Sequence, residues 1–235
     1  MSESHDIYGG ADPREIPAYG LSEAARYLGM PPSTLRSWTV GQSYLVRGER
    51  RLFHPVIRLP VKGESRLSFL NLVEAHVLDA LRRQHSISLQ KVRATLNFVE
   101  RHFPSPRPLA DQQFETDGLD LFIKKYGKLI NASRDGQVEM ERLIRMYLKR
   151  VERDEMGIAS RLYPFTRSLP HESPRLVVID PRVSFGRPVL AGTSIPTGVI
   201  AERFKAGDTI ATLAGDYDRP PEEIQEAIRC ELEAA

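Results

Sequence analysis

Four side chains in the stretch PSTLRSWTVG (residues 32–41), namely Ser33, Thr34, Arg36 and Ser37, combine hydroxyls with a guanidinium. Such a set donates hydrogen bonds to phosphate oxygens and to base edges. Three more arginines, Arg47, Arg50 and Arg51, surround Gly48. Arginines at a loop tip reach a phosphate or a narrow minor groove. A third group is mixed: Tyr163, Phe165 and Arg167 near three prolines, and Arg187 in the run FGRPVL. Those aromatics either anchor a partner or pack on their own domain. Catalytic chemistry has no comparable set. The six histidines, His5, His54, His76, His85, His102 and His171, show no metal-ligand spacing. No nucleophile elbow, P-loop or dinucleotide-binding glycine run is present. Asp180, Asp208 and Asp216 form the one imaginable acidic trio, and capping and turn roles explain each more simply. The expectation is a protein without catalytic residues, metal or cofactor.

The elements that must position the first two groups can be read locally. In LSEAARYLG, Ser22 is the expected N-cap, and Ala24, Ala25 and Leu28 give a small apolar face. Gly29 stands where a glycine ends a helix, and Pro31 or Pro32 suits the first position of the next. Leu35 and Trp38 then share one face, with the donor residues around the rest. This is a helix, a glycine turn and a helix. The following segment, rich in β-branched and aromatic residues and broken by Gly41, Gly48 and Gly63, predicts short hairpins, which is how a basic wing looks. Ser68 and Ser88 are expected to cap two further helices. The second carries a stripe at Leu89, Val92, Leu96, Val99 and Phe103, suited to packing within the chain or against a second copy.

Beyond a proline-rich joint at 104–110, turn dipeptides at Asp117-Gly118, Tyr126-Gly127 and Asp135-Gly136 predict three short strands, followed by a charged helix. Residues 160–175 read as a linker. The rest predicts a strand and three helices starting near Thr197, Thr209 and Pro220. The expected fold is α+β, mostly α: a flexible arm (1–16), a winged helix-turn-helix (17–103), a β-rich extension with a helix (104–159), the linker (160–175) and a three-helix, helix-turn-helix-like unit (176–235).

Charge separates the two ends. Residues 26–107 hold 14 Lys and Arg against 5 Asp and Glu, a net of +9, whereas residues 176–235 hold 6 against 10, a net of −4. The last helix carries Glu222, Glu223, Glu226, Glu231 and Glu233 against Arg229. Phosphate would repel it, so that unit is expected to bind protein or to dimerise. With 41% hydrophobic residues the chain can bury a core. No apolar run approaches the roughly 20 residues that span a bilayer, and the polar N-terminus has no signal-peptide pattern. One cysteine, Cys230, excludes an internal disulfide and fits a cytoplasmic protein.

The stretch YGLSEAARYLGMPPSTLRSWTVG (19–41), with the wing-like segment and LDALRRQHSISLQKVRATL, resembles the MerR-like winged helix-turn-helix. The stretch from Val178 to Ala234 is similar to a small bacterial domain with the signature G-x-P-V-(x)2-G-T-R-I-P, with Ser194 in place of the usual arginine. Together they resemble VapB-type antitoxins. The resemblance implies a cytoplasmic antitoxin that neutralises a PIN-like ribonuclease toxin and represses its own operon by binding double-stranded operator DNA. Ser33, Thr34, Arg36, Ser37, Arg47, Arg50 and Arg51 are then the candidate DNA contacts, and Tyr163, Phe165, Arg167 and Arg187 the candidate toxin contacts. A homodimer is expected, because a single recognition helix offers few base contacts and a two-fold pair reads two half-sites. The competing reading is a one-component winged-helix regulator whose C-terminal part senses a ligand or dimerises.

Overall fold

The computed structural model describes residues 8–46, 49–84, 89–102, 105, 107–112, 114–167 and 169–232. The chain begins with β1 (Tyr19–Gly20), α1 (Leu21–Tyr27) and α2 (Pro32–Thr39), then the hairpin β2 (Gln42–Val46) and β3 (Glu49–Phe53). Next come β4 (Arg66–Leu67), α3 (Phe69–Gln84), α4 (Leu89–His102), α5 (Leu119–Ile130) and α6 (Arg134–Leu148). A second hairpin, β5 (Val151–Arg153) and β6 (Ala159–Leu162), leads to β7 (Val177–Val178) and β8 (Val189–Leu190). The chain closes with α7 (Thr197–Lys205), α8 (Ile210–Tyr217) and α9 (Pro221–Leu232). The pairs β1–β4, β2–β3, β5–β6 and β7–β8 are all antiparallel. The fold is α+β and mostly α.

Helix α3 is the axis of the molecule. Every residue from Leu67 to Leu81 is buried, so its polar side chains need internal partners. Asn71 Nδ2 donates to Glu74 Oε2 at 2.8 Å and to the Arg58 carbonyl at 2.9 Å. Tyr147 Oη, from α6, donates to Asp79 Oδ2 at 3.0 Å, and His76 Nε2 lies 3.1 Å from the Tyr147 carbonyl oxygen. Ser68 does begin α3: its hydroxyl accepts from the Asn71 N–H, and the Asn71 side chain accepts from Ser68 N–H in return. Ser88 lies outside the described residues.

Three sequence expectations change, and one open alternative closes. The strands expected between 112 and 137 are helical turns and α5 and α6; the small β segment lies later, in β5–β6. Leu119, Phe122, Ile123 and Tyr126 recur at helical spacing and are all buried. The glycines there do other work. A Cβ at Gly127 would sit 2.7 Å from the Gln137 side chain, so this glycine lets α6 approach α5. Gly136 gives its N–H to the Ser133 hydroxyl, the N-cap of α6.

The stretch 160–175, expected as a linker, is packed. Arg150, itself 7% exposed, donates to the carbonyls of Tyr163, Pro164, Ser173 and Pro174. Burial lowers its guanidinium to a pKa of about 10. The expected N-terminal arm is also tied down over the residues described: Arg14 pairs with Asp12 and Asp154, and Glu15 with Arg107. Finally, Val92, Leu96 and Val99 of the α4 stripe are buried within the chain, which removes them as a surface for a second copy. Leu89 lies on described backbone only and Phe103 outside the described residues.

The main core runs from Tyr19 through α3–α6 to Ile179 and Cys230. A smaller one, Leu190, Ile200, Leu213, Ile224, Ala227 and Ile228, holds α7–α9 together.

Candidate nucleic-acid interface

Helix α1 starts at Leu21, one residue before the expected Ser22 cap: Gly20 holds the N-cap position, and its N–H donates to Glu23 Oε2 at 3.3 Å. The helix ends as the sequence predicts. Gly29 has φ +59°, its N–H donates to the Arg26 carbonyl and Met30 N–H to the Ala25 carbonyl, each at 3.0 Å. This is the paired closure that glycine permits at a helix end. Pro32 opens α2, where its missing N–H costs nothing. Leu35 is 0% and Trp38 2% exposed. The Trp38 carbonyl accepts from Val56 N–H at 2.8 Å and Ile57 N–H at 2.9 Å, so the chain leaving the β2–β3 hairpin is stitched to the end of α2.

With that face locked inward, the other face is fixed outward. Ser33 and Arg36 are exposed, and Thr34 and Ser37 are half-buried. Ser37 Oγ donates to the Thr34 carbonyl at 2.7 Å, and its remaining capacity is as an acceptor. Arg36 has no hydrogen bond or ion pair from its guanidinium to any described residue, and α2 carries no acid. The hairpin pairs Leu45 with Arg50 and Tyr44 with Arg51. For β2 and β3 the structure gives the backbone alone, so Arg50 and Arg51 are placed by position, and Arg47 lies outside the described residues. The hairpin itself is present where a wing was expected. Arg58 and Lys62, on the segment after it, are further exposed cations that the sequence reading did not select. Only their exposure marks them.

The second candidate set does not stay together. Phe165 lies against the rings of His76 (5.3 Å between centroids) and Tyr147 (4.7 Å) and under the Arg150 guanidinium. Tyr163 Oη donates to Glu152 Oε1 at 2.9 Å. Arg167 reaches Glu226 Oε1 of α9 through Nε at 2.9 Å and Nη2 at 2.5 Å. These three hold the chain to itself. Arg187 is exposed, and among the four it alone has an uncommitted guanidinium. The acidic trio is likewise dispersed: Asp208 and Asp216 both pair with Arg203, while Asp180 pairs with Arg161. Among the described residues no group of three or more His, Cys, Asp or Glu side chains could hold a metal, and no helix is long and apolar enough to cross a membrane.

Residues 17–96 match the family described as "Putative DNA-binding HTH domain", which contains α1, α2 and the hairpin. Residues 177–229 match "Protein of unknown function (DUF433)". The chain is similar to a VapB-type antitoxin. It is 28% identical to the "Putative antitoxin VapB45" of Mycobacterium tuberculosis (strain ATCC 25618 / H37Rv), over 91% of this chain and 93% of that one. It is also 24% identical to the "Uncharacterized protein Rv2308" of the same organism, over 92% and 89% of the two chains. The crystal structure of Rv2018 from Mycobacterium tuberculosis superposes with a TM-score of 0.67 at 27% identity, covering 91% of this chain and 98% of that one. The likeness to the antitoxin thus runs through both ends of the chain and the middle.

Proposed function

We propose that the chain is an antitoxin that acts by binding rather than catalysis: it binds double-stranded operator DNA as a homodimer, represses its own operon, and neutralises a PIN-like ribonuclease in the cytoplasm. The observation that carries the DNA half is α2. Its apolar face is locked by Leu35 and Trp38, its outer face offers Ser33 and the uncommitted Arg36, and a hairpin with Arg50 and Arg51 is stitched beside it. Helix in the major groove with a wing on the backbone is the arrangement such a surface serves. The antitoxin half is supported by the full-length likeness to a protein of that name. The dimer contact falls to surfaces other than the α4 stripe, with α7–α9 the remaining candidate.

The test has two arms. A labelled fragment of the DNA upstream of the gene should shift with the wild type and not with the Arg36/Arg47/Arg50/Arg51→Ala variant; equal shifts would overturn the DNA assignment. Co-expression of the full chain with the product of the adjacent reading frame should restore growth that this product arrests. Continued arrest, with both proteins soluble, would overturn the antitoxin assignment.

A further inference from the structure

Between β7 and β8 the chain makes a tight turn, Arg182–Arg187, in an unusual conformation. Ser184, Phe185 and Gly186 have φ of 48°, 57° and 77°, three successive left-handed residues, two of them bearing side chains. A bulky residue there is an outlier that persists only where its surroundings over-determine it. They do so here. Tyr19 Oη donates to the Gly186 carbonyl at 2.9 Å, Ser184 Oγ to the Ser194 carbonyl at 3.2 Å, and the Arg182 N–H to Asp180 Oδ1 at 2.9 Å. Tyr8 Oη donates to the Pro181 carbonyl at 2.9 Å. A Cβ at Gly186 would lie 2.3 Å from Tyr19 Oη, so only glycine seats the turn against the winged-helix end of the molecule.

What the turn holds outward is Phe185, 70% exposed, flanked by the exposed Arg182 and Arg187. The other arginines of residues 176–232, Arg203, Arg219 and Arg229, are all ion-paired to carboxylates. The guanidiniums of Arg182 and Arg187 make no hydrogen bond or ion pair with a described carboxylate; the charge of Arg182 acts on Asp12 only through space. An aromatic and arginines on a rigid support are the residue types that dominate binding energy, and a preformed loop loses little freedom on docking.

We infer that this turn is a docking surface for a protein that presents carboxylates around an apolar recess, Phe185 entering the recess and the arginines engaging the carboxylates. Resting on the function proposed above, that protein is the ribonuclease, because a magnesium-dependent nuclease site is built of clustered carboxylates. Two cations on one turn match a compact carboxylate group. A nucleic-acid strand would need a groove of cations along its backbone.

The experiment measures binding of the full-length chain to the purified ribonuclease of the adjacent reading frame by titration calorimetry. Phe185→Gly relieves the left-handed residue, so the thermal midpoint and the operator shift should hold while affinity for the ribonuclease falls roughly 30-fold or more. Arg182→Glu/Arg187→Glu should weaken it by a similar factor and remove most of its salt dependence. Wild-type binding with both variants binding equally well would overturn the docking assignment and leave the antitoxin reading standing. No binding by the wild type would overturn both. Loss in both variants of binding to a single-stranded oligoribonucleotide, with ribonuclease binding intact, would assign the turn to RNA instead.

Discussion

The chain contains two helix-turn-helix outlines, and their difference lies in where the charges go. The turn after α1 and the turns after α7 and α8 close in the same way, with a left-handed residue (Gly29, Gly207, Asp218) and paired N–H donors returning to the preceding helix. Yet Arg36 on α2 points its charge at solvent, whereas three acids of α9 are paired within the chain and only Glu222 of the described ones stays exposed and unpaired. Glu226, 1% exposed, accepts from Arg167 and Arg229, Glu223 accepts from Arg219, and Glu231 pairs with Arg26 of α1. The negative charge of the last helix is therefore structural. It clamps the C-terminal unit to α1 and to the stretch that carries Arg167. The same local motif leaves its polar groups facing outward at one end and serves as an inward fastener at the other.

The sharpest way to break this comparison is at Trp38. Trp38→Ala should cost about 3–5 kcal/mol, because it removes a large core side chain that is 2% exposed at the end of α2. Its denaturation midpoint should fall and operator binding vanish with it; a stable variant that still shifts DNA would mean that α2 is not held as described. At the surface the effects separate. Arg36→Ala should lose roughly 1–3 kcal/mol of operator affinity and relax sequence preference, whereas Arg50→Ala should weaken all sequences alike and lower the salt slope by about 1. Anisotropy titrations over a salt series distinguish the two. The matching change on the other motif, Glu222→Gln/Glu223→Gln, should leave operator affinity where it was.

The pH response divides the two regions again. Burial raises the Glu74 carboxyl to about 7, against the opposing pull of Arg107 and Asn71. The folded state then keeps a proton that the unfolded chain has released, so this group's contribution to stability falls as pH rises from its ordinary 4.5 towards 7. At Glu226 burial also pushes upward, but hydrogen bonding and the charge of Arg167 prevail, and the carboxyl lies below its ordinary 4.5. Its contribution is complete above that value and is lost as pH falls through the folded-state value. Glu74→Gln should therefore flatten the decline between 4.5 and 7, and Glu226→Gln should flatten the acid limb. At neutral pH the second change should cost about 1–2 kcal/mol, a buried-pair loss discounted for the partly exposed arginines. Thermal midpoints across pH 3–8 in the two variants would contradict this if they changed the same limb. The smallest effect is at the junction. Tyr19→Phe removes one hydrogen bond to Gly186 and should cost about 0.5–1.5 kcal/mol, with faster amide exchange around residues 182–187 as the readout.

The first motif was legible because everything that shapes it is local: Gly29, the proline pair and the three-residue spacing of Leu35 and Trp38 act within one or two turns of helix. The three C-terminal helices were legible for the same reason, with Thr209 capping α8 as expected. The middle was not. Asp117-Gly118, Tyr126-Gly127 and Asp135-Gly136 look like hairpin turns to any rule of nearest neighbours. Two of these glycines serve instead a close helix crossing and a cap, which depend on Gln137 and Ser133 being opposite them. The prolines of 160–175 signalled a break in regular structure, and that much was right. Whether such a stretch floats or packs depends on partners for its carbonyls, and Arg150 supplies them.

By itself, then, the sequence determined the helix-turn-helix outlines, the basic and acidic ends and the outward donors of α2, since periodicity, capping and charge count are properties of short segments. Tertiary structure decided which charges are spent and which remain. A guanidinium's partner sits wherever folding places it: Glu226 against Arg167, 59 residues away, Glu231 against Arg26, and no described carboxylate paired with the guanidinium of Arg36 or Arg187. Such pairings are set by long-range packing, and no count of residues along the chain contains them.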